Sequence, residues 1–459
     1  MSQFILQTPY NWMSPDRDYW SANECTYMQN ISVDNMRFEQ LDSTYASIWD
    51  TTYTFTVNQM VESGGWVISL WSAKVFLNTV DKTATVAGAS RIEITGDWVN
   101  YFIDNTNILQ TNSAITSVTN TKAHAGWTVT ASVLIYKSIL FSIGSTIYSY
   151  DLTALGTAPA SLETNIPIIT GSTVKYMYFY NDMLVIVTTK DYDTIIYQVQ
   201  YTSTGYEIYS TEIKKGFTCY WAIWDSGTVY WTTTDRIFGF QGGNSQELRY
   251  VWFQSDLTDW FFGSSPRLAF DKGILYIANG TTIYKYGRKF AGRKNSLTVR
   301  TFWESIQAIT WNFIHTQSGT NKIYQQNPAI YPNSGYSISL PYDTWVYWDE
   351  KTNLQFRVGY QLQTGTTITI GVMTDEMELS SPSTYVTVAT IIDTTKQRQY
   401  VSVSEINTAL ETASKNSDWQ SIRFKKTLNG AGGSTWARTL TPKLFDIKCI
   451  HNEINDEIS

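Results

Sequence analysis

The side chains with most chemical potential in this chain are its carboxylates and its aromatic rings. Asp and Glu together number 40, enough for the paired acids with which a glycosidase works. None forms a recognisable catalytic pair. Sialidase-type propellers repeat a Ser-x-Asp-x-Gly-x-Thr-Trp box, and the nearest approach is Asp225-Ser-Gly227-Thr-Val-Tyr-Trp231. Its tryptophan falls one place late, Ile223 stands where the serine belongs, and the phrase occurs once. It reads as a hairpin turn. Asp191-Tyr-Asp193 lacks the further oxygen ligands of a calcium loop. Gly242-Gly243 and Gly430-Ala-Gly-Gly433 lack the lysine and the strand–helix context of a phosphate cradle. His124, His315 and His451 share no metal-binding spacing with Cys25, Cys219 and Cys449. The expectation is no catalytic residue, no metal, no cofactor, and three free buried thiols.

The aromatic side offers more. Trp221, Trp224, Trp252 and Trp260, with Phe261 and Phe262, form the densest cluster. Exposed rings of this kind stack on sugars, so the four tryptophans are candidate glycan contacts. The competing reading is packing between neighbouring sheets.

Those residues must be carried by strands. A short phrase recurs six times: an apolar strand, a few polar or small residues, then an aliphatic–aromatic or aliphatic–aliphatic pair. It begins at Val67, Val99, Leu140, Leu184, Val229 and Leu275, at steps of 32, 41, 44, 45 and 46 residues. The clearest copy is Leu275-Tyr-Ile-Ala-Asn-Gly-Thr-Thr-Ile283-Tyr284. A step of roughly 40–50 residues built only from strands marks a β-propeller. The pattern predicts an all-β protein with a roughly six-bladed propeller over 46–295. Hairpin signals sit at Ser63-Gly64-Gly65, Asn181-Asp182, Ser226-Gly227 and Asn279-Gly280.

Residues 1–45 read as an irregular N-terminal arm whose Tyr10, Trp12, Tyr19 and Trp20 alternate with Pro, Asn and Asp. Such anchors suit a segment laid over another surface, and they are the candidate assembly interface. Between Lys285 and Arg300 the chain carries Lys285, Arg288, Lys289, Arg293, Lys294 and Arg300 and no acid. This reads as a solvated linker at a domain boundary, or as a contact with an acidic partner or a DNA channel. Residues 296–459 lose the repeated phrase but alternate with period two, as in Tyr336-Ser-Ile-Ser-Leu340. They predict a jelly-roll-like β-sandwich with one short helix over about 405–415, capped by Ser404.

Net charge is −7, and only 16% of residues are charged. That excludes a chain that wraps nucleic acid. With 31 tyrosines and 18 tryptophans, it favours a subunit that buries much of its surface against neighbours. The amino terminus has no signal-peptide pattern and no apolar run is long enough for a membrane helix, so folding in a cytoplasm is expected.

The order of parts resembles a known family. Thr8-Pro-Tyr-Asn-Trp-Met-Ser-Pro-Asp16 and Glu24-Cys-Thr-Tyr-Met-Gln-Asn30-Ile-Ser-Val-Asp34 precede the propeller, and the sandwich closes with Ser421-Ile-Arg-Phe-Lys-Lys-Thr-Leu428 and Leu440-Thr-Pro442-Lys-Leu-Phe-Asp-Ile447. This is similar to the propeller-bearing nozzle, or tail-tube, proteins of short-tailed bacteriophages. The resemblance implies a non-enzymatic virion tail component, assembled in the host cytoplasm. It implies a homo-oligomer, expected as a hexameric ring, that meets adaptor, portal or fibre proteins and surrounds a channel through which DNA passes without sequence-specific binding. The alternatives are a receptor-binding or fibre-attachment protein that reads cell-surface glycan, and a propeller-type glycosidase.

Overall fold

The computed structural model describes residues 2–7, 25–32, 39–51, 57–63, 66–71, 74–95, 99–124, 128–153, 161–162, 166–203, 205–225, 227–234, 236–248, 266–271, 273–287, 296–318, 320–339, 342–343, 351–374, 385–415, 417, 419, 421–434 and 438–453. Strands dominate, arranged as a β-propeller joined to a β-sandwich.

The propeller has seven four-stranded antiparallel blades. Their innermost strands are Val57–Ser63, Arg91–Ile94, Ala131–Ile135, Thr173–Tyr180, Trp221–Asp225, Arg267–Asp271 and Ile306–Ile309. The repeated phrase is the hairpin of second and third strands in each blade, as in the pairing of Leu275 with Tyr286 and of Ala278 with Ile283. Its aliphatic member points into the core. Val75, Ile108, Ile147, Ile196, Ile237 and Ile283 are all buried. Alternation along a strand presents one such face to each neighbouring blade. Of the expected hairpin signals, Gly64-Gly65 and Ser226 lie outside the described residues, and of the other two one is as expected and one is shifted. Asn181 and Asp182 take positive φ (47° and 60°) between Tyr180 and Met183, the backbone that a tight hairpin demands. At Asn279-Gly280, however, Asn279 stays in the ladder opposite Thr282, and Gly280 (φ 55°) turns the corner.

The seventh blade changes the boundaries. It comprises Ile306–Ile309, Phe313–Ser318 and Thr320–Asn327, and its outermost strand is Thr44–Thr51 from the beginning of the chain. An N-terminal strand thus fastens the ring, and Ile306–Ile309 packs beside Val57–Ser63 of the first blade. The propeller therefore runs past residue 295, and the described residues 285–287 and 296–300 are not linker. They belong to the paired strands Thr282–Gly287 and Ser296–Thr301 of the sixth blade. The run misleads because its charges are partly neutralised inside the fold by an acid distant in sequence.

The ring-closing seam holds a buried histidine. His315 of the seventh blade is fully buried 5.4 Å from the Trp71 ring of the first. Burial lowers its pKa to about 4 from an ordinary 6.5. As pH falls below 6.5 the unfolded chain takes the proton first, so this contribution is present above 6.5 and lost as pH drops towards 4. Glu93, raised to about 7, acts in the opposite sense, so the two partly cancel in the native protein. Replacing His315 by Phe isolates one of them. Relative to the native chain, His315→Phe should gain about 2 kcal/mol between pH 7 and pH 5, read from urea midpoints. A pH-independent difference would refute a buried neutral imidazole.

The sandwich is built from both ends of the chain. One sheet orders Ser2–Gln7, Lys443–Glu453, Lys351–Gln361 and Arg398–Val401. The other orders Cys25–Gln29, Ser334–Ser339, Ser421–Asn429, Thr367–Thr374 and Val386–Ile391, with Tyr342–Asp343 paired to Ser421–Asn429. The segment expected to be an irregular arm thus supplies one strand to each sheet, and only the first two residues of the propeller strand Thr44–Thr51 fall within it. Phe356, Val358 and Tyr360 of one sheet share a core with Ile368, Ile370, Val372 and Phe424 of the other. That core continues into the sixth blade through Leu275, Ile277 and Tyr284. Cys25–Gln29 also touches Ser296–Thr301, joining blade and sandwich into one sheet. On the other side of Cys25–Gln29, Gly335 permits the close approach of Ser334–Ser339, since a Cβ there would lie 2.5 Å from the Asn30 carbonyl oxygen.

The helix spans Val403–Thr412, two residues earlier than expected at its start. Its cap is Ser402, not Ser404. Ser402 and Glu405 form a reciprocal capping box, which Ser404 cannot make because its third following residue is Asn407. Ile406 and Leu410 bury its inner face.

Candidate functional site: the axial cavity

All seven innermost strands line one cavity of about 610 Å³ on the propeller axis. Blade twist leaves the innermost strand of each blade half-exposed along the axis. Met60, Glu62, Arg91, Glu93, Ser132, Tyr176, Tyr178, Trp221 and Trp224 are all half-buried there.

Aromatic residues of the fourth and fifth blades form one wall. Tyr176 and Tyr178 lie stacked at 6.3 Å, and Tyr178 stacks on Trp224 at 6.5 Å. Tyr180 tilts against Trp224 at 5.7 Å. The hydroxyls are anchored. Tyr178 donates to the Ala222 carbonyl at 2.6 Å, and Tyr176 to the Tyr220 carbonyl at 3.1 Å. Burial drives both phenol pKa values up, so the rings stay neutral.

Among the lining residues are two acids and two bases: Glu62 and Glu93, Arg91 and Lys175. Arg91 donates to the Thr130 carbonyl from Nε at 3.2 Å and Nη2 at 2.5 Å. Glu93 accepts from Ser132 Oγ at 2.6 Å, and burial pushes its carboxyl up to about 7. Glu62 accepts from Thr310 Oγ1 and from the Asn312 backbone N–H at 3.2 Å, and burial raises its pKa as well. Both acids are thus positioned hydrogen-bonding groups inside a largely apolar vessel.

Of the four candidate glycan contacts, Trp221 and Trp224 reach this cavity. Strand alternation separates them. Trp224 faces the fourth blade, while Trp221 donates Nε1–H to the Leu268 carbonyl at 3.3 Å and lies under the Arg267 guanidinium at 4.6 Å. They are not one flat cluster, and the stacking partners of Trp224 come from a different blade. Trp252 and Trp260 lie outside the described residues, as do Tyr10, Trp12, Tyr19, Trp20, Arg288, Lys289, Arg293 and Lys294.

Lys285 and Arg300 are described, and neither is available to a channel or partner. Lys285 Nζ lies 2.7 Å and Arg300 Nη2 2.6 Å from Asp42 Oδ2. Burial alone pushes the Asp42 carboxyl up, but the two cations outweigh it and hold it at about 2. Beside them Asn30, at positive φ (55°), donates to Thr301 Oγ1 and accepts from the Thr301 N–H, each at 2.8 Å. The basic residues and the Asn30 motif are the fastening of sandwich to propeller. Cys219 and Cys449 are free and buried, and burial lifts the Cys219 thiol to about 12. Among the described residues no His, Cys, Asp and Glu group is arranged to hold a metal ion.

Sequence reasoning missed Glu62, Glu93 and Arg91, which lie on adjacent blades. It also missed the seventh copy of the phrase, Phe313-Ile-His-Thr-Gln-Ser-Gly-Thr-Asn-Lys-Ile323-Tyr324, although its closing Ile-Tyr pair was a usable signal.

No family model matches the chain, and no curated protein matches it. Solved structures do resemble it in part. The computationally designed Ika8 protein is 13% identical, covering 60% of this chain and 97% of its own, at TM-score 0.39. BBS1N, solved in complex with ARL6DN, is 13% identical over 62% of this chain and 98% of its own, at TM-score 0.41. The extracellular domain of a putative hybrid two-component system, BT4673 from B. thetaiotaomicron, is 12% identical over 63% of this chain and 40% of its own, at TM-score 0.43. Likenesses this distant carry no argument about function.

Proposed function

We propose that this chain is a structural subunit of a bacteriophage tail, of the nozzle or tail-tube kind, that works as a closed homo-oligomer around the DNA channel. The observation that carries the assembly part is the outer strand of the fourth blade, Gly205–Lys214. Its Ile208, Tyr209 and Ile213 are 40%, 67% and 48% exposed. Three exposed apolar side chains on one outer edge strand, beside Glu207 and Thr211, favour a subunit that buries that edge. The union of blade, sandwich and N-terminal strands by shared strand pairing suits a mechanical part, and the tail assignment draws on the resemblance of the order of parts. Closed rings use heterologous interfaces, so this edge would meet a different surface of the next copy.

The test is an image of the assembled particle with this chain located, together with mass photometry of the purified protein with its adaptor. A ring whose formation is lost in Tyr209→Lys/Ile213→Lys is the expected result. A monomer seated at a fibre tip would overturn the reading.

A further inference from the structure

The axial cavity has a chemistry that a purely mechanical subunit does not need. We propose that it binds a short neutral oligosaccharide.

Four features point there. First, its volume of about 610 Å³ lies within the roughly 300–1,000 Å³ of small-ligand sites. Second, Trp224 lines the cavity, packs against Tyr178 and Tyr180 and is half-buried. The C–H face of a pyranose packs on such a surface without requiring charge. Third, the lining acids and bases balance, two against two. That disfavours a polyanion such as nucleic acid, which needs a basic footprint. Fourth, polar groups stand around the ring wall at fixed positions. Glu62 and Glu93 are each oriented by protein donors that leave acceptor capacity over, because an ionised carboxylate has about four lone-pair sites. Burial raises the Glu93 carboxyl to about 7, and a carboxyl accepts hydrogen bonds when ionised and also donates one when protonated. Hydroxyl-rich, uncharged ligands fit such a mixture, whereas an apolar ligand would strand these carboxyls. This goes beyond the structural role and does not depend on it.

The experiment uses the full chain on a printed array of neutral and sialylated glycans, then calorimetric titration of the strongest neutral hit with tryptophan fluorescence as a second readout. The expectation is one-to-one binding with a Kd on the order of 1 mM or tighter. Trp224→Ala should weaken it at least about tenfold. Because that change can disturb packing with Tyr178, Glu93→Gln supplies an independent arm, with at least a threefold change in affinity expected while the variant still melts cooperatively. Tyr192→Ala, at a turn 79% exposed and absent from the cavity lining, should leave binding unchanged. No neutral hit, binding confined to sialylated glycans, or binding indifferent to both cavity variants would overturn the proposal.

Discussion

Replacing Asp42 by Ala is expected to cost about 3–5 kcal/mol of stability, the range for stranding a buried charge. Asp42 neutralises both Lys285 and Arg300, and Arg300 is only 2% exposed. Without the carboxylate the guanidinium stays buried on the Tyr45 ring, 5.3 Å from its centre, with no counter-charge. The effect has a pH signature. The Asp42 pKa is held at about 2 against an ordinary 3.8. A carboxyl lowered on folding contributes stability that is complete above 3.8 and lost as pH falls to about 2, here about 2 kcal/mol. The native protein should lose that increment across the window, and Asp42→Ala should not. Guanidinium denaturation at pH 7 and at a series of acid pH values measures both. A cost under about 1 kcal/mol at pH 7 would show that the triad does not hold propeller to sandwich.

Removal of residues 1–51 is expected to abolish cooperative folding of the whole chain. The deletion takes Ser2–Gln7 from its partner Lys443–Glu453 and Cys25–Gln29 from between Ser334–Ser339 and Ser296–Thr301. It also strips Thr44–Thr51 from the seventh blade, uncovering Thr320–Asn327. Four strands lose a partner, one in each sheet of the sandwich, one in the sixth blade and one in the ring closure, and open edges aggregate. The deletion should give insoluble protein or a broad, low-enthalpy melt. Co-expression of residues 1–51 as a separate segment should restore solubility, because the contacts are non-covalent. A sharp, unshifted melt of the shortened chain would mean that the segment is an appendage after all. Loss of residues 1–7 alone should be milder, since only one sandwich edge is opened.

The sequence by itself determined the repeat. An aliphatic residue closing each hairpin, at a step of roughly 40–50 residues, can only be buried if successive hairpins face one another, and so the blades from Val67 to Tyr284 were legible. Alternation likewise exposed the sandwich strands, and the spacing of Ile406 and Leu410 exposed the helix, with its start two residues and its end three residues from where they were expected and its cap at Ser402 instead of Ser404. Local rules suffice there because period, turn and cap are properties of neighbours in the chain. Tertiary structure alone decided what pairs across great separations. Asp42 meets Arg300, Glu39 meets Lys426, and Thr44–Thr51 closes a blade whose other strands begin at Ile306. A buried acid far upstream turns an apparent solvated linker into part of a blade, and no composition window contains both partners. The cavity has the same origin. Glu62, Glu93, Tyr178 and Trp224 stand on four different innermost strands, each separated from the next by the other strands of a blade, and only closure of the ring brings them to one axis.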